Sequence, residues 1–168
     1  MSHQDVSNAA GHGEVAGLQA RVQRLEDLEA LRQLKGRYAY RVDRCHVTPS
    51  QENAEAAAAL FSDDAVLDLP VGRYEGKAAI LNAFAKDFPA ATAWSVHYVT
   101  GPDQLEVHGD KADGRWYVLF YLQGRTPAGS PPAAANAYWG IYEEKYVRTA
   151  TGWKFQSVHG VLTLPRSA

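Results

Sequence analysis

Along the first third of the chain, apolar residues recur at three- and four-residue steps. Leu18, Val22, Leu25, Leu28, Leu31, Leu34, Tyr38 and Val42 keep this spacing, which predicts one long amphipathic helix reaching Asp43. Glu26, Asp27 and Glu29 alternate with Arg21, Arg24 and Arg32, as on a solvated back face. Residues 1–17 are polar or small without apolar period and are expected to form a flexible tail, leaving 18–168 as a single domain. Thr48-Pro49-Ser50 breaks the helix, and Ser50 can cap a short alanine-rich one over 54–61.

Ser62-Asp63-Asp64 reads as a turn and 65–69 as a strand, stopped by Pro70 and Gly72. A third helix is expected over 77–88, with Ile80, Leu81, Phe84 and Phe88 on one side and Pro89 ending it. The second half changes character. Four β-branched and aromatic runs cover 95–107, 111–125, 136–148 and 153–164. His108-Gly109-Asp110 and Ala150-Thr151-Gly152 are hairpin turns, and the proline-rich 126–135 is a longer loop. Helices followed by antiparallel strands predict an α+β fold, helices on one sheet face. In the second of these runs Trp116, Val118, Phe120 and Leu122 share one face, and Tyr117, Leu119 and Tyr121 the other. Both faces are apolar, so one should cover the helices and the other a second subunit.

A length of 168 residues suits one domain with a sizeable core, and 46% hydrophobic content suits an ordinary globular protein. The net charge of −2, with no basic stripe, speaks against a nucleic-acid partner. Cys45 is the sole cysteine, which excludes an intrachain disulfide. No apolar run has transmembrane length and the first residues lack a signal-peptide pattern, so the expectation is no membrane partner and a cytoplasmic location. His46, His108 and His159 lack metal-ligand spacing, and no dinucleotide fingerprint follows a strand, so neither a metal nor a cofactor is expected.

Several segments together resemble a known superfamily. These are Leu60-Phe-Ser-Asp-Asp-Ala-Val-Leu-Asp68, Gly72-Arg-Tyr-Glu-Gly-Lys-Ala-Ala-Ile80, His97-Tyr-Val-Thr-Gly101, Gly114-Arg-Trp-Tyr117 and Tyr146-Val-Arg-Thr-Ala-Thr-Gly-Trp-Lys-Phe155. Over roughly 18–164 the chain resembles SnoaL-like proteins of the NTF2-like superfamily, in the branch near scytalone dehydratase, bile-acid dehydratase and hexachlorocyclohexane dehydrochlorinase. The resemblance implies a cone: three N-terminal helices on a strongly curved, mostly antiparallel sheet that encloses an apolar cavity. It also implies a homo-oligomer, a trimer before a dimer. Asp43 falls where the branch keeps an aspartate, His97 where it keeps a histidine base, and Tyr38 where the bile-acid enzymes have a functional tyrosine. The second pocket histidine of scytalone dehydratase has no counterpart over 117–121, and Tyr142 stands where that enzyme has asparagine.

An imidazole held by a buried carboxylate is a general base that works near neutral pH without a metal. The expected catalytic set is His97, Asp43, Tyr38 and Tyr40, with Leu67, Leu69, Phe84, Val99, Leu119 and Tyr142 around an apolar small-molecule substrate. Asp68 directly precedes Leu69, so strand parity should turn it away from the cavity. Arg148 is expected to be solvated, and Cys45 to be buried and structural. The leading expectation is a cofactor-independent dehydratase-type lyase. An isomerase or polyketide-type cyclase, or a non-catalytic ligand-binding protein, is the alternative.

Overall fold

The structure, a computed structural model, describes residues 3–163, with side chains over 13–161. Helix α1 spans His3–Val47 and α2 Gln51–Ala58. Strands β1 (Phe61–Leu69) and β2 (Gly72–Glu75) form a hairpin. Helix α3 (Lys77–Asn82) continues through a π-helical turn, Ala83–Asp87, into α4 (Phe88–Ala91). Four long strands follow: β3 (Thr92–His108), β4 (Lys111–Gly124), β5 (Ala135–Thr149) and β6 (Gly152–Thr163).

The sheet order is β2-β1-β6-β5-β4-β3, antiparallel everywhere except between β1 and β6. Three helical segments therefore lie on a six-stranded mixed sheet, which curls without closing, as the α+β expectation holds. Bulges after Val99 on β3 and at Gln156 on β6, opposite Lys145 and Tyr146, bend the long strands. Gly109, at φ 65°, makes the tight β3–β4 turn that a side chain would strain.

Ser50 caps α2 through Asn53 N–H, as its sequence position suggested. Other boundaries differ. The stretch 61–64 is strand, joined to β6 at Phe61–Phe155 with a register irregularity where a turn was expected. The residues after Gly72 form β2 rather than a bare connection. Helix continues past Pro89, because proline in the first turn of α4 sacrifices no needed N–H; the preceding π turn absorbs the break. The expected strand end at 164 lies outside the described residues.

Helix α1 also departs from expectation at its start. Residues 3–17, expected as a flexible tail, are helical, while residues 1–2 lie outside the described residues. Every side chain from Gly13 to Glu26 is exposed, and burial begins at Asp27. So Leu18, Val22 and Leu25, which share the core period, do not reach the core. Asp27 marks where α1 joins the body. Arg148 grips both of its carboxylate oxygens at 2.6 Å, and Trp153 Nε1 donates at 3.1 Å. Arg148 is thus a clamp between helix and sheet rather than a solvated cation. From there Leu31, Leu34, Tyr38 and Val42 run down the sheet. Their core partners are aromatic, with the ring of Phe155 5.3 Å from those of Tyr38 and Phe61 and 5.2 Å from that of Tyr146.

Candidate active site

Asp43 sits in the last turns of α1, where the helix crosses the concave face of β3. Alternation along β3 turns Ser95 and His97 toward the helix and leaves Val96 and Tyr98 outside, 38% and 59% exposed. Three donors of β3 converge on the Asp43 carboxylate. His97 Nδ1 lies 2.7 Å from Oδ1, the His97 main-chain N–H reaches Oδ2 at 2.9 Å, and Ser95 Oγ reaches Oδ1 at 2.5 Å. The pairing of Asp43 with His97 expected from the resemblance is therefore present, and the carboxylate fixes the strand as well as the ring.

Hydrogen-bond polarity then assigns the tautomers. An ionised carboxylate only accepts, so His97 Nδ1 carries a proton and, in the neutral ring, Nε2 holds the free lone pair. Ser95 spends its proton on Asp43. His46 Nδ1, 2.6 Å from Ser95 Oγ, must therefore donate, which leaves its Nε2 bare too. Two imidazoles are anchored on one carboxylate, one directly and one through a serine.

Electrostatics keep these roles apart. Burial pushes the Asp43 carboxyl up, but the hydrogen bonds from His97 and Ser95 outweigh it and hold the group below the usual carboxylate range. Burial pushes the His97 imidazole down against the pull of Asp43, and takes His46 down to about 4. Near neutral pH the site holds an ionised Asp43 and two neutral histidines.

His97 and His46 line a cavity of about 250 Å³. Its other walls include Tyr38, Val42, Leu69, Tyr74, Phe88, Phe120, Leu122 and Tyr142, while Pro70, Val71, Asp87 and Ala91 lie toward its exposed rim. Phe120 is the direct cross-strand partner of His97, with ring centroids 4.1 Å apart. Tyr38 and Tyr142 meet edge to face at 6.1 Å, and burial raises both phenols far above their ordinary range, so they are neutral donors. Beneath them lies an ion pair of Lys35 with Glu144, the ammonium 3.8 Å from the Tyr142 ring centroid. Tyr146 donates to the same glutamate, and Trp116 Nε1 donates to Tyr146 at 2.9 Å. A polar groove of about 460 Å³ opens elsewhere on the sheet among Glu106, Asp113, Arg115, Glu143 and His159; its one buried acid, Glu144, is already paired with Lys35 and Tyr146.

Six of the ten expected site residues do not line this cavity. Tyr40 is 67% exposed and belongs to the solvent face of α1, because it is two residues from Tyr38 and helix neighbours at that spacing diverge. Leu119 lies on the convex sheet face, opposite Tyr98 and one residue from Phe120, so parity excludes it from the cavity. Val99 shares the face of His97 but sits at the bulge, packed against the core edge. Leu67 and Phe84 are core residues behind the wall, 0% and 1% exposed. Asp43 lies behind His97 rather than on the wall. Tyr38, Leu69, His97 and Tyr142 do line the cavity. Asp68 points away, paired with Arg73 at 3.1 Å and His159 at 3.3 Å, as parity required. Cys45 is buried, and burial raises its thiol to about 11.

Sequence reasoning missed His46, Ser95, Phe120 and Leu122 as site residues. The signal existed. His46 is three residues after Asp43, on the same helix face, and Ser95 is two before His97, on the same strand face. Phe120 and Leu122 alternate with Leu119. Among the described residues, no group of three His, Cys, Asp or Glu is placed to hold a metal ion.

Comparison with known proteins agrees with this architecture. Among solved structures, one provisionally named an aromatic ring hydroxylase, from Novosphingobium aromaticivorans, is 28% identical, with TM-score 0.71 over 84% of this chain and 92% of its own. A hexachlorocyclohexane dehydrochlorinase (LinA, type 2) is 23% identical, with TM-score 0.71 over 85% and 89%. An NTF2-like superfamily protein from Salmonella enterica serovar Typhimurium is 16% identical, with TM-score 0.69 over 86% and 96%. No curated protein matches the chain. The curled sheet, its covering helices and these neighbours define an NTF2-like fold. Within that class, residues 23–159 match the SnoaL-like domain, and the chain belongs to that family.

Proposed function

We propose that this protein is a cofactor-independent lyase of the dehydratase type. One observation carries the reading: a half-buried carboxylate holds both the ring and the main chain of His97, which lines an apolar cavity. In the reaction, His97 Nε2 takes a proton from carbon next to a carbonyl. The C–H pair becomes an enolate, whose collapse breaks the β carbon–oxygen bond. Tyr38 or Tyr142 hydrogen-bonds the departing oxygen, which takes the proton from the His97 imidazolium and leaves as water, so that the imidazole returns to its neutral form. Asp43 stabilises the imidazolium formed on the way. The name of the dehydrochlorinase neighbour, an elimination of hydrogen chloride, supports elimination chemistry on this scaffold.

A cavity of about 250 Å³ is small among ligand sites, which favours a compact substrate of one or two rings over a larger polycycle. His46 favours a second reading. A second neutral imidazole on the same wall can receive or return a proton, as isomerisation of such a substrate requires.

The convex face of the sheet supports self-association. Tyr98 and Trp139 flank Leu119 through direct pairings, and Tyr117 and Val161 flank Ile141. Tyr98, Tyr117, Trp139 and Val161 are each 47–59% exposed, so a second subunit covering them would bury a continuous apolar patch.

A panel of small cyclic hydroxy-ketones tests the chemistry, with loss of water followed by mass and product structure. Water release by the wild type and none by His97→Gln is the expected result. Rearranged product of unchanged mass would establish the isomerase reading. Equal turnover by both proteins would remove His97 as base, and binding without turnover would mark a ligand-binding protein.

A further inference from the structure

Four apolar side chains near the start of α1 have no partner among the described residues. Val15, Leu18, Val22 and Leu25 are 53–66% exposed, in a helix whose core contacts begin only at Asp27. Their spacing is three, four, three. This is the a/d pattern of two heptads, with valine at both a positions and leucine at both d positions.

The placement of the stripe is specific. At about 100° per residue it lies opposite Ala20, Gln23 and Asp27, the face that meets the β3–β4 turn and Arg148. The Arg148 clamp on Asp27 therefore directs the apolar stripe outward. Gly13 and Gly17 lie in the same exposed stretch, each costing about 1 kcal/mol relative to alanine in a helix. Neither intrinsic propensity nor packing among the described residues accounts for a helix here, whereas a partner along the stripe would.

We propose that this stretch of α1 pairs in parallel with the same stretch of a second copy, as a two-stranded coiled coil of two heptads. β-Branched a and leucine d positions favour two parallel strands. Charge agrees: Arg21 occupies g and Glu26 the following e position, so a parallel pair sets Arg21 of each copy against Glu26 of the other. Two heptads alone are too short to be stable in water, but here the body anchors each helix from Asp27 onward. The pairing is independent of the catalytic reading and of contacts at the convex sheet face.

Cross-linking of the full-length protein tests it. In a parallel pair, a faces a, so Val22→Cys should oxidise rapidly to a disulfide-linked dimer, whereas Ala20→Cys on the opposite side should not. Leu18→Glu/Leu25→Glu should weaken self-association at least tenfold by sedimentation, with the circular dichroism of the folded body retained. Cross-linking of Val22→Cys no faster than Ala20→Cys overturns the proposal. So does cross-linking only in mixtures with Leu18→Cys, which marks antiparallel pairing, or capture by a different protein in place of a second copy. Unchanged association of the double variant also overturns it.

Discussion

Lys35 and Glu144 form an ion pair whose side chains are 1% and 0% exposed, 109 residues apart in sequence. Burial pushes the Lys35 ammonium down, and Glu144 opposes that shift. Removing one partner strands the other charge in the core beneath Tyr38 and Tyr142. Lys35→Met should cost about 3–5 kcal/mol, and Lys35→Met/Glu144→Leu should recover most of it. Denaturant unfolding of the four proteins of the cycle measures both numbers; an additive double variant would show that the charges are not coupled.

The Asp43–His97 contact predicts a separation of stability from activity. His97→Gln keeps much of the ring's volume, so folding should persist while turnover falls on the order of 10²–10⁴-fold. Asp43→Asn should cost a similar factor, because the amide can accept a proton from the ring or donate one to it, and the favoured tautomer is lost. Initial rates beside thermal melts check the pair.

Stability should rise with pH across the range in which the buried histidines titrate. His46 has a folded value of about 4 against 6.5 unfolded, so between these the unfolded chain binds more protons. That contribution is complete above pH 6.5 and fades as pH falls to 4, a change of roughly 3 kcal/mol. His97 adds in the same direction. Asp43, held below the ordinary carboxyl value of 3.8, contributes above that pH and is lost only in stronger acid. Urea midpoints at pH 7, 5.5 and 4.5 should fall in order, and the slope should flatten in His46→Gln.

Gly160 gives access to the cavity from behind. A Cβ there would stand 2.7 Å from Leu69 Cδ2 and 2.9 Å from Tyr142 Cε1, so both cavity walls must move. Gly160→Ala should cost about 1–3 kcal/mol by overpacking and should raise KM more than it lowers kcat. An unchanged KM would mean that the two side chains relax away from the cavity.

The convex face can be tested with one charge. Trp139 is 47% exposed beside Leu119 in the apolar patch, and Trp139→Glu should dissociate an assembly built there without lowering the thermal midpoint of the isolated subunit. Analytical ultracentrifugation reads the result; a wild-type monomer at micromolar concentration would remove the interface.

The elements were legible in the chain because periodicity is a local property. The 3.6-residue spacing through Leu31, Leu34, Tyr38 and Val42, the alternation along β3 to β6, and the glycine turns at 109 and 152 require no knowledge of distant partners. The same parity turned Asp68 outward and should have removed Leu119 from the cavity. Pairing of Asp43 with His97 was accessible through family resemblance, since nothing local joins residues 54 apart.

What the sequence by itself determined is therefore which residues share a face of each helix and strand, and hence the α+β class. The tertiary structure decided what each face meets. It set Leu18, Val22 and Leu25 in solvent although they keep the core period, because the body ends at the Arg148–Asp27 clamp. It joined His46 to Asp43 through Ser95, and Lys35 to Glu144 beneath two tyrosines. Those outcomes depend on sheet register and on where α1 crosses β3, which only the simultaneous packing of distant segments can fix.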